Sequence, residues 1–198
     1  MKLPNLTIHH EYIKVPTIFQ SIETGKPFSN CISCEKALLE NGVQYVIEKA
    51  IKNYKQFNTT DTIFEYAMCL QCYDEIQKTF SDTSKRRIES YFQNNVDFVQ
   101  RRERFLKNED LRIDEWISTC VVKGTAARDL TEYQIVCQCD GELMLYTYMP
   151  FMIGSEAMDE VAQLLSTQTL GEIDGLYDDF FGLSPELRDL LNPRLLVV

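Results

Sequence analysis

Histidine is nearly absent from this chain: only His9 and His10 occur among 198 residues. A Ser-His-Asp or Cys-His catalytic constellation would have to use one of these two neighbours in the N-terminal arm, which makes the case for such an enzyme thin. Neither a Gly-x-x-x-x-Gly-Lys loop nor a Gly-x-Gly-x-x-Gly turn is present, so the two common phosphate cradles are missing. No run of about 18 apolar residues exists, which argues against a membrane span. The opening MKLPNLTIHHEYIKVP alternates polar and apolar residues and lacks the continuous apolar core of a secretory signal. Basic residues are scarce in the second half. Residues 108–198 carry 5 Lys+Arg against 17 Asp+Glu, a net −12, whereas residues 1–107 carry 15 against 13, a net +2, within a total of −10. Nucleic-acid binding needs cations to displace phosphate counterions, so only the first half is suited to it.

Cysteine is the residue the chain does use. Seven are present, and four of them form two Cys-x-x-Cys pairs, Cys31/Cys34 and Cys69/Cys72, separated by 34 residues. Each pair can turn two thiolates toward one ion, and two pairs supply the four soft ligands that zinc takes in a closed structural site. Such a site has no open position for substrate, so the motif points to metal and not to a reaction. The same four sulfurs could hold an iron–sulfur cluster, and a single Cys-x-x-Cys could serve thioredoxin-like redox chemistry, although that motif belongs in a βαβ setting. The odd cysteine count and the paired spacing suit a reducing cytoplasm better than a disulfide framework. Cys120, Cys137 and Cys139 have no evident partner set and read as small buried apolar residues.

Around the pairs the pattern implies an α+β chain. Residues 1–27 form an extended arm in which Tyr12, Ile13, Val15, Ile18 and Phe19 can add a strand. QYVIEKAIKNY fits a helical stripe through Val46, Ile47, Ala50, Ile51 and Tyr54 and partly fits alternation through Tyr45, Ile47 and Ile51. A strand near 43–50 is favoured because TIFEYAMC can be its hairpin partner, and helix follows Cys72 through Tyr73, Ile76 and Phe80. A longer helix runs from Ser81–Ser84 to Asn108, its stripe made by Ile88, Tyr91, Phe92, Val96, Val99 and Leu106. WISTCVV (116–122), EYQIVCQC (132–139) and ELMLYTYM (142–149) read as strands, the last two joined by Asp140-Gly141, a hairpin signal because both positions accept positive φ. Gly154-Ser155 opens a helix, a further stripe ends at Gly182, and Ser184-Pro185 restarts a short one. No internal repeat is visible. The organisation expected is a zinc module with its arm at 1–80, a connecting helix at 81–108, and an acidic α+β domain with a small antiparallel sheet and C-terminal helices at 109–198.

The order Cys pair, hairpin, second Cys pair, helix resembles a treble-clef or zinc-ribbon domain over residues 28–80, carried by CISC and AMCLQC. CISCEK departs from that pattern by lacking the glycine after the second cysteine. The resemblance implies structural Zn2+ on Cys31, Cys34, Cys69 and Cys72, and no catalytic residues. The function expected is a non-catalytic, zinc-stabilised interaction or adaptor protein, whose acidic half suits a basic protein partner or self-association. A rival reading is nucleic-acid binding through Lys85, Arg86, Arg87, Arg101, Arg102 and Arg104. A third is a metal- or cysteine-dependent enzyme using Cys120, Cys137 or the Asp174/Asp178 pair, with Asp179 beside it; hard cations take such oxygens, but a solvated acidic helix face is far more common.

Overall fold

A computed structural model describes residues 11–107 and 112–182. Six strands build one sheet: β1 (Glu11–Lys14), β2 (Gln44–Tyr54), β3 (Thr59–Cys69), β4 (Glu132–Asp140), β5 (Leu143–Tyr146) and β6 (Phe151–Gly154). Their order is β1-β5-β4-β2-β3, with β6 also pairing β4, and every pair is antiparallel. The two central strands are β2 and β4, which join Gln44–Lys52 to Glu132–Asp140. The first and second halves of the chain therefore share a single sheet. Strand β2 is buried on both faces from Tyr45 to Ile51, as a central strand covered on two sides must be.

Among the described residues there are six α-helices: α1 (Leu70–Thr79), α2 (Asp82–Asn95), α3 (Phe98–Lys107), α4 (Ile113–Trp116), α5 (Ser155–Leu164) and α6 (Thr167–Phe181). Among the described residues no helix is long and apolar enough to cross a membrane. On the helix-facing side of the sheet, Phe64 and Tyr66 of β3 stack at 6.3 Å and meet Phe181 of α6 at 5.5 and 6.4 Å. On the other side Phe19 is fully buried, and the ammonium of Lys49 reaches the Gln20 carbonyl and the Glu65 carboxylate, 2.8 Å away.

Several expectations hold and several need correction. The β2–β3 hairpin, the Asp140-Gly141 turn (Gly141 at φ +55°), and helices opening after Gly154 and ending at Gly182 are present. The connecting helix is not one helix but two. Val96 is extended, and Asp97 starts α3 by accepting the N–H of Gln100 on its carboxylate and that of Arg101 on its carbonyl. WISTCVV is not a strand. It closes α4 and enters a tight loop in which Cys120 N–H donates to Thr125 O and Gly124 sits at φ +70°. Strand β6 was not anticipated, while Asn108 and the Ser184-Pro185 helix start lie outside the described residues.

The expectation of no internal repeat also fails. Residues 30–37 and 119–126 form the same loop, each closed by one isolated bridge, Asn30↔Ala37 and Thr119↔Ala126. Each loop leads to a hairpin of matching register: Tyr45↔Cys69 to Glu48↔Tyr66 in β2–β3, and Tyr133↔Gly154 to Val136↔Phe151 in β4–β6. A ten-residue helix follows at once in both, α1 and α5, and then a helix capped by serine, Ser81 for α2 and Ser166 for α6. The two caps meet at the centre. Ser81 Oγ lies 2.9 Å from Ser166 Oγ, Ser166 N–H donates to Ser84 Oγ at 2.9 Å, and Ser81 N–H donates to Thr169 Oγ1 at 3.1 Å. These reciprocal bonds are what a pseudo-twofold axis between the halves produces.

Candidate metal centre

The loop at 30–37 and the start of α1 bring Cys31, Cys34, Cys69 and Cys72 together, with all four sulfurs within 4.8 Å of one another. Among the described residues no other group of three or more potential ligand side chains gathers in this way. The loop is built by local hydrogen bonds. Cys31 N–H donates to Lys36 O, Glu35 N–H returns to Cys31 O, and the Asn30 side-chain amide donates to Glu35 O, all at 2.9 Å. The glycine missing after Cys34 has a structural consequence. Glu35 occupies φ +60°, a left-handed conformation that costs a non-glycine residue on the order of 1 kcal/mol. The second pair is held by the strand-to-helix junction. Cys69 ends β3 and caps α1, which places Cys72 in the first turn beside free backbone N–H groups.

Ile32 N–H bonds to Ala67 O at 2.9 Å and clamps the loop to the end of β3. Cys69 N–H then points at Cys31 Sγ, 3.4 Å away. Burial alone would push the Cys31 thiol up, but N–H groups of Cys69, Cys34 and Ser33 more than offset it and bring the thiol down to about 7. Burial raises Cys69, and burial raises Cys72 to about 12. One thiolate is thus favoured by the backbone, while an ion held here would have to displace the proton of Cys72, so that its binding would release protons and weaken as pH falls.

The donor set fits a tetrahedral ion. Zinc–sulfur bonds of about 2.3 Å place sulfurs roughly 3.8 Å apart at the corners of a tetrahedron, and Cys34 Sγ lies 3.8 Å from Cys69 Sγ. Cys31 and Cys69 are buried, Cys72 is half-buried and Cys34 is exposed, so the cluster sits at the surface with one edge toward water.

The remaining candidates lie elsewhere. Cys137 and Cys139 point to one side of β4, 3.8 Å apart and fully buried opposite Ile47 and Tyr45, and burial pushes the Cys137 thiol up. Cys120 is buried too, its sulfur accepting N–H groups of Lys123 and Gly154 at 3.4 and 3.3 Å. Asp174, Asp178 and Asp179 are exposed on α6. Of the basic residues, Arg101 donates to the carbonyls of Trp116, Pro150 and Tyr148 at 2.5, 3.0 and 3.3 Å and lies 5.1 Å over the Trp116 ring. Arg102 donates to Tyr146 O at 2.9 Å, and Arg87 to Leu164 O at 3.5 Å. These guanidiniums brace loops, a role that sequence gave no means of separating from phosphate binding. Lys85 pairs loosely with Asp82 at 3.5 Å, and Arg86 and Arg104 are exposed. His9 and His10 fall outside the described residues. Compared with family models, curated proteins and solved structures, the chain matches none.

Proposed function

We propose that this chain is a non-catalytic interaction or adaptor protein stabilised by one structural zinc ion on Cys31, Cys34, Cys69 and Cys72. The observation that carries the reading is the four-sulfur cluster itself. Four thiolates complete the coordination of zinc and leave no site for substrate. The loop, hairpin and helix order supports a treble-clef-like arrangement. The partner fits best as a basic protein or a second copy of the chain, because α6 exposes Glu172, Asp174, Asp178 and Asp179 and contains no basic residue. The nucleic-acid reading is weaker, since Arg87, Arg101 and Arg102 of its six cations already donate to backbone carbonyls. The cysteine-enzyme reading is weaker because Cys120 and Cys137 are enclosed in the core.

Elemental analysis of protein purified without added metal tests the site. One equivalent of zinc is expected, and Cys31→Ser with Cys34→Ser should abolish it. Iron with sulfide, or no metal at all, would refute the zinc assignment. Light scattering and affinity capture with intact and Cys31→Ser protein then test the interaction role. Binding to duplex DNA or RNA that weakens steeply with salt would favour the rival.

A further inference from the structure

The repeated loop, hairpin and helix assign each metal-site position a counterpart. The hydrogen bond from Ile32 N–H to Ala67 O (2.9 Å) recurs as Val121 N–H to Met152 O (2.8 Å). That from Glu35 N–H to Cys31 O (2.9 Å) recurs as Gly124 N–H to Cys120 O (2.8 Å), with positive φ at Glu35 and Gly124 alike. The bond from Cys69 N–H to Cys31 Sγ (3.4 Å) recurs as Gly154 N–H to Cys120 Sγ (3.3 Å). The helices keep a trace of common sequence, Asp74-Glu75-Ile76 against Asp159-Glu160-Val161. Cys31 thus corresponds to Cys120, Cys34 to Lys123, Cys69 to Gly154, and Cys72 to Ala157. One sulfur of four remains in the second set.

A different cation–anion contact spans the second cleft. Lys123 Nζ, at the position of Cys34, lies 2.5 Å from Glu160 Oε1 and 3.9 Å from Glu156 on α5. Tyr91 OH of α2 donates to the other Glu160 oxygen at 2.6 Å. The hydrogen bond from Lys123 holds the Glu160 carboxyl below the usual range, helped by Tyr91. Where an ion would tie loop to helix in the first unit, an ammonium–carboxylate pair ties them in the second.

We infer that residues 119–181 are a second copy of the metal-binding unit in which the Lys123–Glu160 pair takes the place of the ion. Each chain then binds one metal ion, and only its first half depends on it. The inference rests partly on the metal reading of the first unit, and the test separates the two. Lys123→Cys, Gly154→Cys and Ala157→Cys together give Cys120 three sulfur partners, a set of four. A Cβ at Gly154 would meet Leu130 Cδ1 at 2.8 Å, so Leu130→Ala accompanies them.

With cobalt(II) as probe, the unaltered chain is expected to take one equivalent and the restored chain two, doubling thiolate-to-metal absorption. A restored chain that folds and still takes one overturns the inference. Should the restored chain not fold, amide exchange decides. Chelation should cut protection at 30–37 and 69–79 by at least about tenfold and spare 119–126. Lys123→Met should instead cut protection at 119–126 about two- to fivefold, the range of a half-exposed ion pair, with metal content unchanged. Equal loss in both loops on chelation, or no loss in Lys123→Met, overturns it. An unaltered chain that binds no cobalt removes the metal reading of the first unit, while the Lys123→Met result still reports on the second.

Discussion

Substituting Ser84 by alanine probes the junction between the halves. Ser84 is fully buried, and its Oγ accepts Ser166 N–H at 2.9 Å and lies 3.0 Å from both Ser81 Oγ and Thr169 Oγ1. Four hydroxyls share four protons here, so each oxygen must both give and receive. Ser84→Ala leaves Ser166 N–H, the cap of α6, without its acceptor, and an orphaned buried donor costs about 1–3 kcal/mol. By the pseudo-twofold relation Thr169→Val does the same to Ser81 N–H at the cap of α2. Both variants should therefore lose about 2 kcal/mol in urea unfolding, with unchanged m-values. Because the two side chains bond directly, the double variant should lose less than the sum, by roughly 0.5–1 kcal/mol. Thr169→Ser, which keeps the hydroxyl, should recover most of the loss. Single losses below about 0.5 kcal/mol, or two singles that differ severalfold, would refute the reciprocal network.

Two further outcomes follow from buried charges. Arg101→Lys cannot span the carbonyls of Trp116, Tyr148 and Pro150 with a single ammonium, and should lower stability by about 2–4 kcal/mol as charge-assisted bonds disappear; a neutral result in thermal unfolding would mean that the guanidinium is not a brace. Lys49→Met leaves the mostly buried Glu65 carboxylate without its cation at 2.8 Å and should cost about 3 kcal/mol, with amide protection falling at residues 20–22, because Ile22 N–H is held by the other Glu65 oxygen. Unchanged protection there would show that the arm is fastened by something else.

Sequence patterning revealed the parts of the fold whose local signals agree with their surroundings. The strand near 43–50, whose apolar residues fit a helical stripe as well, is placed in the central hairpin by its partner TIFEYAMC; Asp140-Gly141 marks its neighbour, and Gly182 marks a helix end. Cys-x-x-Cys spacing identified the four sulfurs that gather, because two-residue spacers leave the chain few other compact conformations. Three features escaped for different reasons. The stripe Ile88, Phe92, Val96, Val99 keeps its period across the α2–α3 break, so only Asp97, a residue suited to capping, signalled the interruption. WISTCVV looked like a strand because Trp116, Ile117 and Cys120 are buried, yet Lys123-Gly124 turns the backbone back on itself. The repeat was hidden because its ligands have changed. Its surviving signals are the Cys-x-x-Lys-Gly loop, the Asp-Glu pair on each helix and a serine cap twelve residues beyond the strand end in both units. None of these is specific alone.

The repeat also bears on what an ion in the first unit can do. In small zinc domains the ion supplies folding free energy that a minimal core cannot. Here β2 is held along its length by β3 on one side and β4 on the other, and it is covered by buried residues on both faces, Phe19, Ile47, Ile135 and Met152 on one and Phe64 and Tyr177 on the other. The second unit keeps the same loop, hairpin and helix geometry with one cysteine, Cys120, at the four equivalent positions. Four sulfurs are therefore not required to form this geometry once it is joined to the shared sheet. An ion on Cys31, Cys34, Cys69 and Cys72 closes the loop against α1 locally, and its loss should loosen that edge while leaving the sheet intact. The surface that such an ion would shape is the loop at 30–37 with the first turn of α1, where Cys34 is exposed.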